Sequence, residues 1–232
     1  MSGRSKCLPK KLVSRPSVAD RLALRFSASR SVDGLWVGTL GGTTEQVLGR
    51  VEEALHLIRN HAPLHFARVL RNLERVWVRV LPSSGACYER SVNACVLDER
   101  YVLSEATSLE QIAGAIIHEA THARLERWGI DYDEQVRPRI EAICLRRELA
   151  FASRLPHGAQ LREQLAHTLT WYSARPGYFS DASFARRDMR GHVKAARHVG
   201  IPDRVIRVLL AGRAVVLAVR GLIDRIRRRP AR

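Results

Sequence analysis

Apolar residues recur at helical spacing over much of this chain. After Thr44, one side of a predicted helix carries Val47, Val51, Ala54, Leu55 and Ile58, and the other side carries acidic residues and arginines. Further helices are predicted after Pro63, through "LHFARVLRNL", and over residues 160–173, 181–199 and 202–226. The chain is therefore predicted to be mostly helical.

Between residues 75 and 104 the apolar period changes from that of a helix to that of a strand. The stretch "RVWVRVL" (75–81) alternates and is rich in β-branched residues, as expected of a strand. The stretch "NACVLDERYVLS" (93–104) is interpreted as two short strands or as one strand with a tight turn. The predicted fold class is α+β, mostly helical, with a small mixed or antiparallel sheet packed on the helix that follows.

That following helix, over residues 108–128, is the best defined in the chain. Thr107 and Glu110 match a capping box at its start, and Gly129 is placed to end it. A buried stripe is predicted at Leu109, Ile112, Ala113, Ile116 and Ile117. The next helix is predicted to begin near Pro138 and to run through "RIEAICLRRELAFASRL".

Charge divides the chain into three segments. The formal net charge is +16, of which residues 1–30 carry +7 and residues 201–232 carry another +7, so the body is nearly neutral. We expect a basic N-terminal arm over 1–40, ending in the loop "GTLGGTT", a folded domain over 41–200, and a basic, hydrophobic C-terminal helix over 201–232. A body without a basic face argues against nucleic acid as a partner.

The C-terminal segment is too often interrupted by charge to be a clear membrane span. Arg207, Arg213 and Arg220 divide it into apolar runs far shorter than the roughly twenty residues that cross a bilayer. Three alternatives stay open: packing on the domain, peripheral contact with a membrane surface, or a true span. The four cysteines show no CxxC pair, although Cys87 and Cys95 are an open alternative for a bridge. We expect a cytoplasmic protein, with membrane association as the alternative.

The stretch "IIHEATHARL" (116–125) carries the candidate chemistry. On a helix, His118 and His122 project from nearly the same side, one turn apart, and can offer two imidazole nitrogens to one metal ion. Glu119 lies about 100° around the helix from His118, so it need not be a ligand. It is instead the candidate general base, taking a proton from a water activated by Zn²⁺.

A catalytic zinc needs a third protein ligand and an open fourth position. Glu141 is the predicted third ligand, because it lies nineteen residues after His122 on the next predicted helix. The intervening chain is long enough to reverse direction, so the two helices can pack antiparallel. The alternatives for the third ligand are Glu148, Cys144, Asp131 and Asp133.

These residues resemble the site of the zincin metallopeptidases, and within them the gluzincin type, in which a glutamate on a following helix completes a His-His-Glu site. The resemblance spans roughly residues 75–153 and is specific at His118, Glu119, His122 and Glu141. It implies a zincin-like domain, one Zn²⁺ per chain and a peptide or protein substrate. Members of the thermolysin type also brace the first histidine with an aspartate four residues after the glutamate, a position held here by Leu145.

The resemblance also implies where a substrate would lie. An extended peptide would pair with an edge strand over the active-site helix, and residues 93–104 are the candidate, with an interior hairpin as the alternative. A further donor would stabilise the oxyanion. The candidates downstream are Tyr172, Tyr178, His167, His192 and His198.

A rival hypothesis comes from a different functional class. In it the protein is not an enzyme, and its basic ends attach it to a membrane or to nucleic acid. The helix-borne histidines would then be structural or hold a non-catalytic ion.

Overall fold

The protein is described here by a computed structural model covering residues 15–82 and 85–210. The helices are α1 (Val18–Phe26), α2 (Thr44–His61), α3 (Pro63–Asn72), α4 (Glu99–Leu103), α5 (Leu109–Arg127), α6 (Arg137–Ala152), α7 (Ala159–Ser173) and α8 (Asp181–His198). The strands are β1 (Ala28–Val32), β2 (Leu35–Thr39), β3 (Arg75–Arg79), β4 (Ala86–Glu89) and β5 (Ala94–Asp98). Two 3-10 turns cover Arg90–Val92 and Pro176–Phe179. This confirms a mostly helical α+β protein with a small mixed sheet.

The five strands form one sheet in the order β1-β2-β3-β5-β4. The three inner strands run parallel to one another, whereas β1 and β4 pair antiparallel at the two edges. The inner strands are buried on both faces: Val76 and Val78 of β3 join the main core, and Trp77 joins a second apolar cluster with residues of α1. Coverage on both faces is usual for parallel strands, which need helical crossovers.

The expected basic arm over 1–40 is wrong for the described part of that segment. Helix α1 covers one face of the sheet, where Asp20 pairs with Arg79 at 3.0 Å. Strands β1 and β2 follow as a hairpin whose two turn residues, Asp33 and Gly34, have φ of 50° and 86°. An Asp-Gly pair suits a two-residue hairpin turn that needs positive φ at both positions. Residues 1–14 lie outside the described range.

The predicted edge strand over 93–104 is also corrected. Its first half forms β5, which is buried between β3 and β4 and is not an edge. The second half forms α4, and the Asp98 side chain caps that helix by accepting from the Arg100 backbone N–H. An aspartate at this position satisfies a backbone N–H in the first turn of the helix, so a helix begins directly after the strand. The edge of the sheet beside α5 is β4.

Helices α5 and α6 confirm the two helices predicted around the metal motif. The capping box of α5 lies one residue later than expected and is formed by Ser108 and Gln111. The Ser108 hydroxyl accepts from the Gln111 backbone N–H, and the Gln111 side-chain oxygen accepts from the Ser108 backbone N–H. Gly129, at φ 77°, follows the helix as predicted. Helix α5 packs on α6 and also contacts α2, α3 and β4.

The C-terminal segment is described only in part. Residues 203–210 are helical, and the remainder of the predicted C-terminal helix, residues 211–232, lies outside the described range. Within residues 15–82 and 85–210, every helix falls short of the length and apolar character that crossing a membrane requires.

Candidate metal centre

Helices α5 and α6 bring three of the predicted site residues together. The Glu141 carboxylate lies between two imidazoles: Oε2 is 3.3 Å from Nε2 of His118, and Oε1 is 3.4 Å from Nε2 of His122. The spacing of four residues on α5 places the two imidazoles next to each other, with ring centroids 4.9 Å apart and ring planes tilted by 46°. All three side chains are largely buried.

These distances have the size of the edges of a zinc coordination tetrahedron. With metal–nitrogen and metal–oxygen bonds of about 2.0–2.2 Å, neighbouring tetrahedral donors lie about 3.3–3.5 Å apart. The separations between Glu141 and each histidine fall in that range. Each histidine and the Glu141 oxygen nearest to it are thus spaced as two donors to one metal ion would be.

Cys144 is a fourth potential donor at the same place. Its sulfur and one nitrogen each of His118 and His122 lie within 4.8 Å of one another, so these three residues could hold a metal ion. Cys144 follows Glu141 by nearly one helical turn, is fully buried, and packs with Leu125 and Ile140. It lies on the apolar side of the centre, while Glu141 and both histidines line a large cavity.

Glu148 has a different position from that of a metal ligand. Its Oε1 bonds to Nδ1 of His118, the ring nitrogen opposite to the one that faces Glu141. This contact fixes the ring orientation, as a carboxylate behind a metal-binding histidine does. Glu148 thus holds the His118 ring in place, a role that Leu145, which has no carboxylate, cannot fill. Gly114 leaves it room, since a Cβ there would lie 3.3 Å from Oε2 of Glu148.

The loop after α5 contributes a contact that the sequence analysis missed. The Tyr132 hydroxyl donates to Oε1 of Glu141, and the Tyr132 ring packs edge-on to His122. Asp131 and Asp133, the other alternative ligands, are exposed and line the outer part of the cavity. A tyrosine between two aspartates in a loop gives no periodic signal, so only the three-dimensional structure identifies it.

The electrostatics of the centre favour a positive charge. Burial acts to lower the pKa of His118, but Glu148 and Glu141 outweigh it and hold the pKa well above its usual value. Burial likewise acts to lower the pKa of His122, but contacts with Cys144 and Glu141 raise it to about 10. Burial acts to raise the pKa of Glu141, but the two histidines outweigh burial and lower that pKa. The raised pKa values mean that His118 and His122 hold protons when no metal is bound. A bound metal cation would displace those protons and supply the positive charge instead.

Glu119 stands beside the three potential ligands and is buried, with 6% of its surface exposed. Burial raises its pKa, and the two histidines only partly oppose this effect. Glu119 lines the same cavity as His118, His122 and Glu141. A carboxylate with a raised pKa on that wall is suited to accept a proton from a bound water.

The cavity has a volume of about 830 Å³ and opens in front of the potential ligands. Its walls include β4, α7 and the 3-10 turn at 176–179, which provide Tyr88, Tyr172 and Tyr178. Tyr172 and Tyr178 were among the oxyanion candidates, and burial raises the pKa of Tyr172 to about 12, so its hydroxyl stays protonated at neutral pH. The other candidates, His167, His192 and His198, are not among the residues that line the cavity.

No protein-family model, curated protein sequence or solved structure matches this chain. The function is therefore inferred from the donor atoms of the centre, from the buried carboxylate beside them and from the cavity that they face.

Proposed function

We propose that this protein is a zinc-dependent metallopeptidase with a zincin-like fold, holding one Zn²⁺ per chain. His118, His122 and Glu141 are the metal ligands, and Glu119 is the general base. The observation that carries this proposal is the pair of distances from the Glu141 oxygens to the two histidines, 3.3 and 3.4 Å, on the wall of a cavity that Glu119 shares. Two nitrogens and one carboxylate are the donor set of a hydrolytic zinc site with an open position.

The chemistry follows from where these groups lie. Zinc, when bound, polarises the substrate carbonyl and lowers the pKa of a water that it holds. Glu119 takes a proton from the attacking water and passes it to the leaving amine, so the peptide bond breaks without a covalent enzyme intermediate. Tyr172 or Tyr178 donates a hydrogen bond to the carbonyl oxygen as negative charge develops there.

A peptide substrate is supported by the edge of the sheet. Among the described residues, strand β4 pairs with β5 alone, and its residues Ala86, Cys87 and Tyr88 line the cavity. The other side of an edge strand offers unpaired backbone groups to an extended peptide. Backbone pairing of this kind holds a scissile bond over α5 without requiring a particular substrate sequence.

Metal content tests the proposal and separates it from a closed, structural site. If Cys144 were a fourth ligand, the metal would have no open position and the centre would be structural. We expect about one zinc per chain by elemental analysis, both in the wild-type protein and in Cys144→Ser. In the cobalt-substituted protein we expect no thiolate-to-cobalt charge-transfer band. Loss of zinc from Cys144→Ser, or a strong charge-transfer band, would support the structural site.

The brace on His118 gives a separate prediction. Glu148→Gln should weaken zinc binding by about 10- to 100-fold, as loss of an outer-shell partner does, because His118 loses the carboxylate that orients its ring. Competition with a chelator measures this change. Glu163→Gln makes the same charge change at an exposed position of the neighbouring helix α7, outside the cavity lining, and should bind zinc like the wild type. Equal zinc affinity in both variants would contradict the role given to Glu148.

A further inference from the structure

A second cavity, of about 70 Å³, lies between α3, α5 and α6. Its lining includes Thr121 and Arg124 of α5 and Trp128, the residue that caps the end of α5. At 3.6 residues per turn, these positions face a different side of the helix than His118 and His122. We call this cavity the basic pocket. The polar and aromatic side chains that define it are His65, Arg68, Arg124, Trp128 and Arg147.

Three arginines from three helices surround the basic pocket: Arg68 of α3, Arg124 of α5 and Arg147 of α6. Within the described ranges, no acidic side chain forms an ion pair with any of the three. The Arg124 guanidinium lies 4.2 Å from the Trp128 ring centroid. Burial and the neighbouring arginines lower the pKa of Arg68, which indicates mutual repulsion between positive charges. The cluster therefore lacks a counter-charge from the described residues.

His65 is the buried polar group of the basic pocket. Only 6% of its surface is exposed, and neither ring nitrogen has a hydrogen-bond partner among the described residues. Burial, together with Arg68, Arg154 and Arg147, lowers its pKa to about 4. A buried polar group without a partner destabilises the fold. A ligand that accepts hydrogen bonds and carries negative charge would relieve both the unsatisfied nitrogen and the repulsion.

We infer that the basic pocket binds a phosphate-class oxyanion. The three lining arginines come from three different helices, an arrangement that suits a tetrahedral ion with several acceptor oxygens better than a planar carboxylate held by one arginine. The cavity is several times larger than the roughly 10–15 Å³ that one water requires, so a single phosphoryl group has room. It is too small for a whole nucleotide. The ligand is inorganic phosphate or the terminal phosphoryl group of a monoester.

Calorimetric titration of the full chain with inorganic phosphate tests this inference. We expect saturable binding of one phosphate per chain. It should weaken by about tenfold or more in the double variant Arg68→Ser/Arg147→Ser, which removes two charged donors. The control Arg139→Ser/Arg146→Ser makes the same charge change at two exposed positions of α6 outside the pocket, and it should bind phosphate like the wild type. Titration with phenyl phosphate distinguishes the two sources: competition with phosphate indicates a monoester, and its failure indicates the free ion.

Two outcomes would overturn the inference. One is the absence of saturable phosphate binding to the wild-type protein. The other is binding that survives in Arg68→Ser/Arg147→Ser but disappears in His122→Ala, which would locate the anion at the metal centre. His65→Leu provides a second check, because it should weaken phosphate binding while an apolar side chain preserves the buried packing. These pocket variants should keep the zinc content of the wild type, so a failure here is distinct from a failure of the proposed peptidase activity.

Discussion

Glu119→Gln should lower peptide hydrolysis by about 100- to 10,000-fold, the range that general-base catalysis contributes. Glutamine keeps the shape of the side chain but cannot accept the proton from water. Zinc binding should persist, because Glu119 lies beside His118, His122 and Glu141 and is not among the three proposed ligands. Turnover of a peptide substrate and zinc content per chain, measured on the same preparation, check both parts of this expectation.

Glu110→Gln is the control for that experiment. It makes the same charge change on the same helix, in the first turn of α5 and outside the residues that line the cavity. We expect wild-type turnover from it. Retained hydrolysis in Glu119→Gln would contradict the assignment of the base, and loss of zinc from that variant would make Glu119 a ligand.

His122→Ala should lose both the metal and the activity. It removes one of the three proposed ligands, so zinc affinity should fall by more than the roughly 100-fold expected when an outer-shell partner is lost. Elemental analysis after gel filtration measures the zinc that remains, and circular dichroism shows whether α5 and its neighbours are still folded. Full zinc occupancy in this variant would contradict the site.

His167→Ala is the matched control for the histidine variant. His167 is exposed on α7 and is not among the residues that line the metal-site cavity. Zinc content and turnover should both equal those of the wild type. A loss of zinc in both variants would show that general destabilisation, and not the missing imidazole, releases the metal.

The sequence indicated that His118, His122 and Glu141 would lie close together because its main signals are local. The spacing of His118 and His122 places two imidazoles on one side of any helix, and Pro138 marks the start of the next. Glu148 could not be assigned in the same way, because it shares a side of α6 with Glu141. Whether a carboxylate reaches Nε2 or Nδ1 of His118 depends on the packing of two helices, which one sequence does not specify.

Two errors in the fold had different causes. The hairpin at Asp33-Gly34 carried a recognisable turn signal, but the surrounding positive charge led to its interpretation as an arm. In "ERYVL" the β-branched and aromatic residues favoured a strand, whereas the Asp98 cap and burial of Val102 against the core make it a helix. Tertiary packing outweighs local propensity in such short segments.

The proposed ligands all lie on one helical hairpin, α5 and α6, rather than on distant parts of the chain. Bringing Glu141 to His122 closes a loop of only nineteen positions, which costs little chain entropy in the unfolded state. A metal ion can therefore gather these donors before the sheet has assembled. We expect refolding in the presence of zinc to begin at this hairpin, so that the metal would act as an early nucleus for the fold as well as in the proposed hydrolysis.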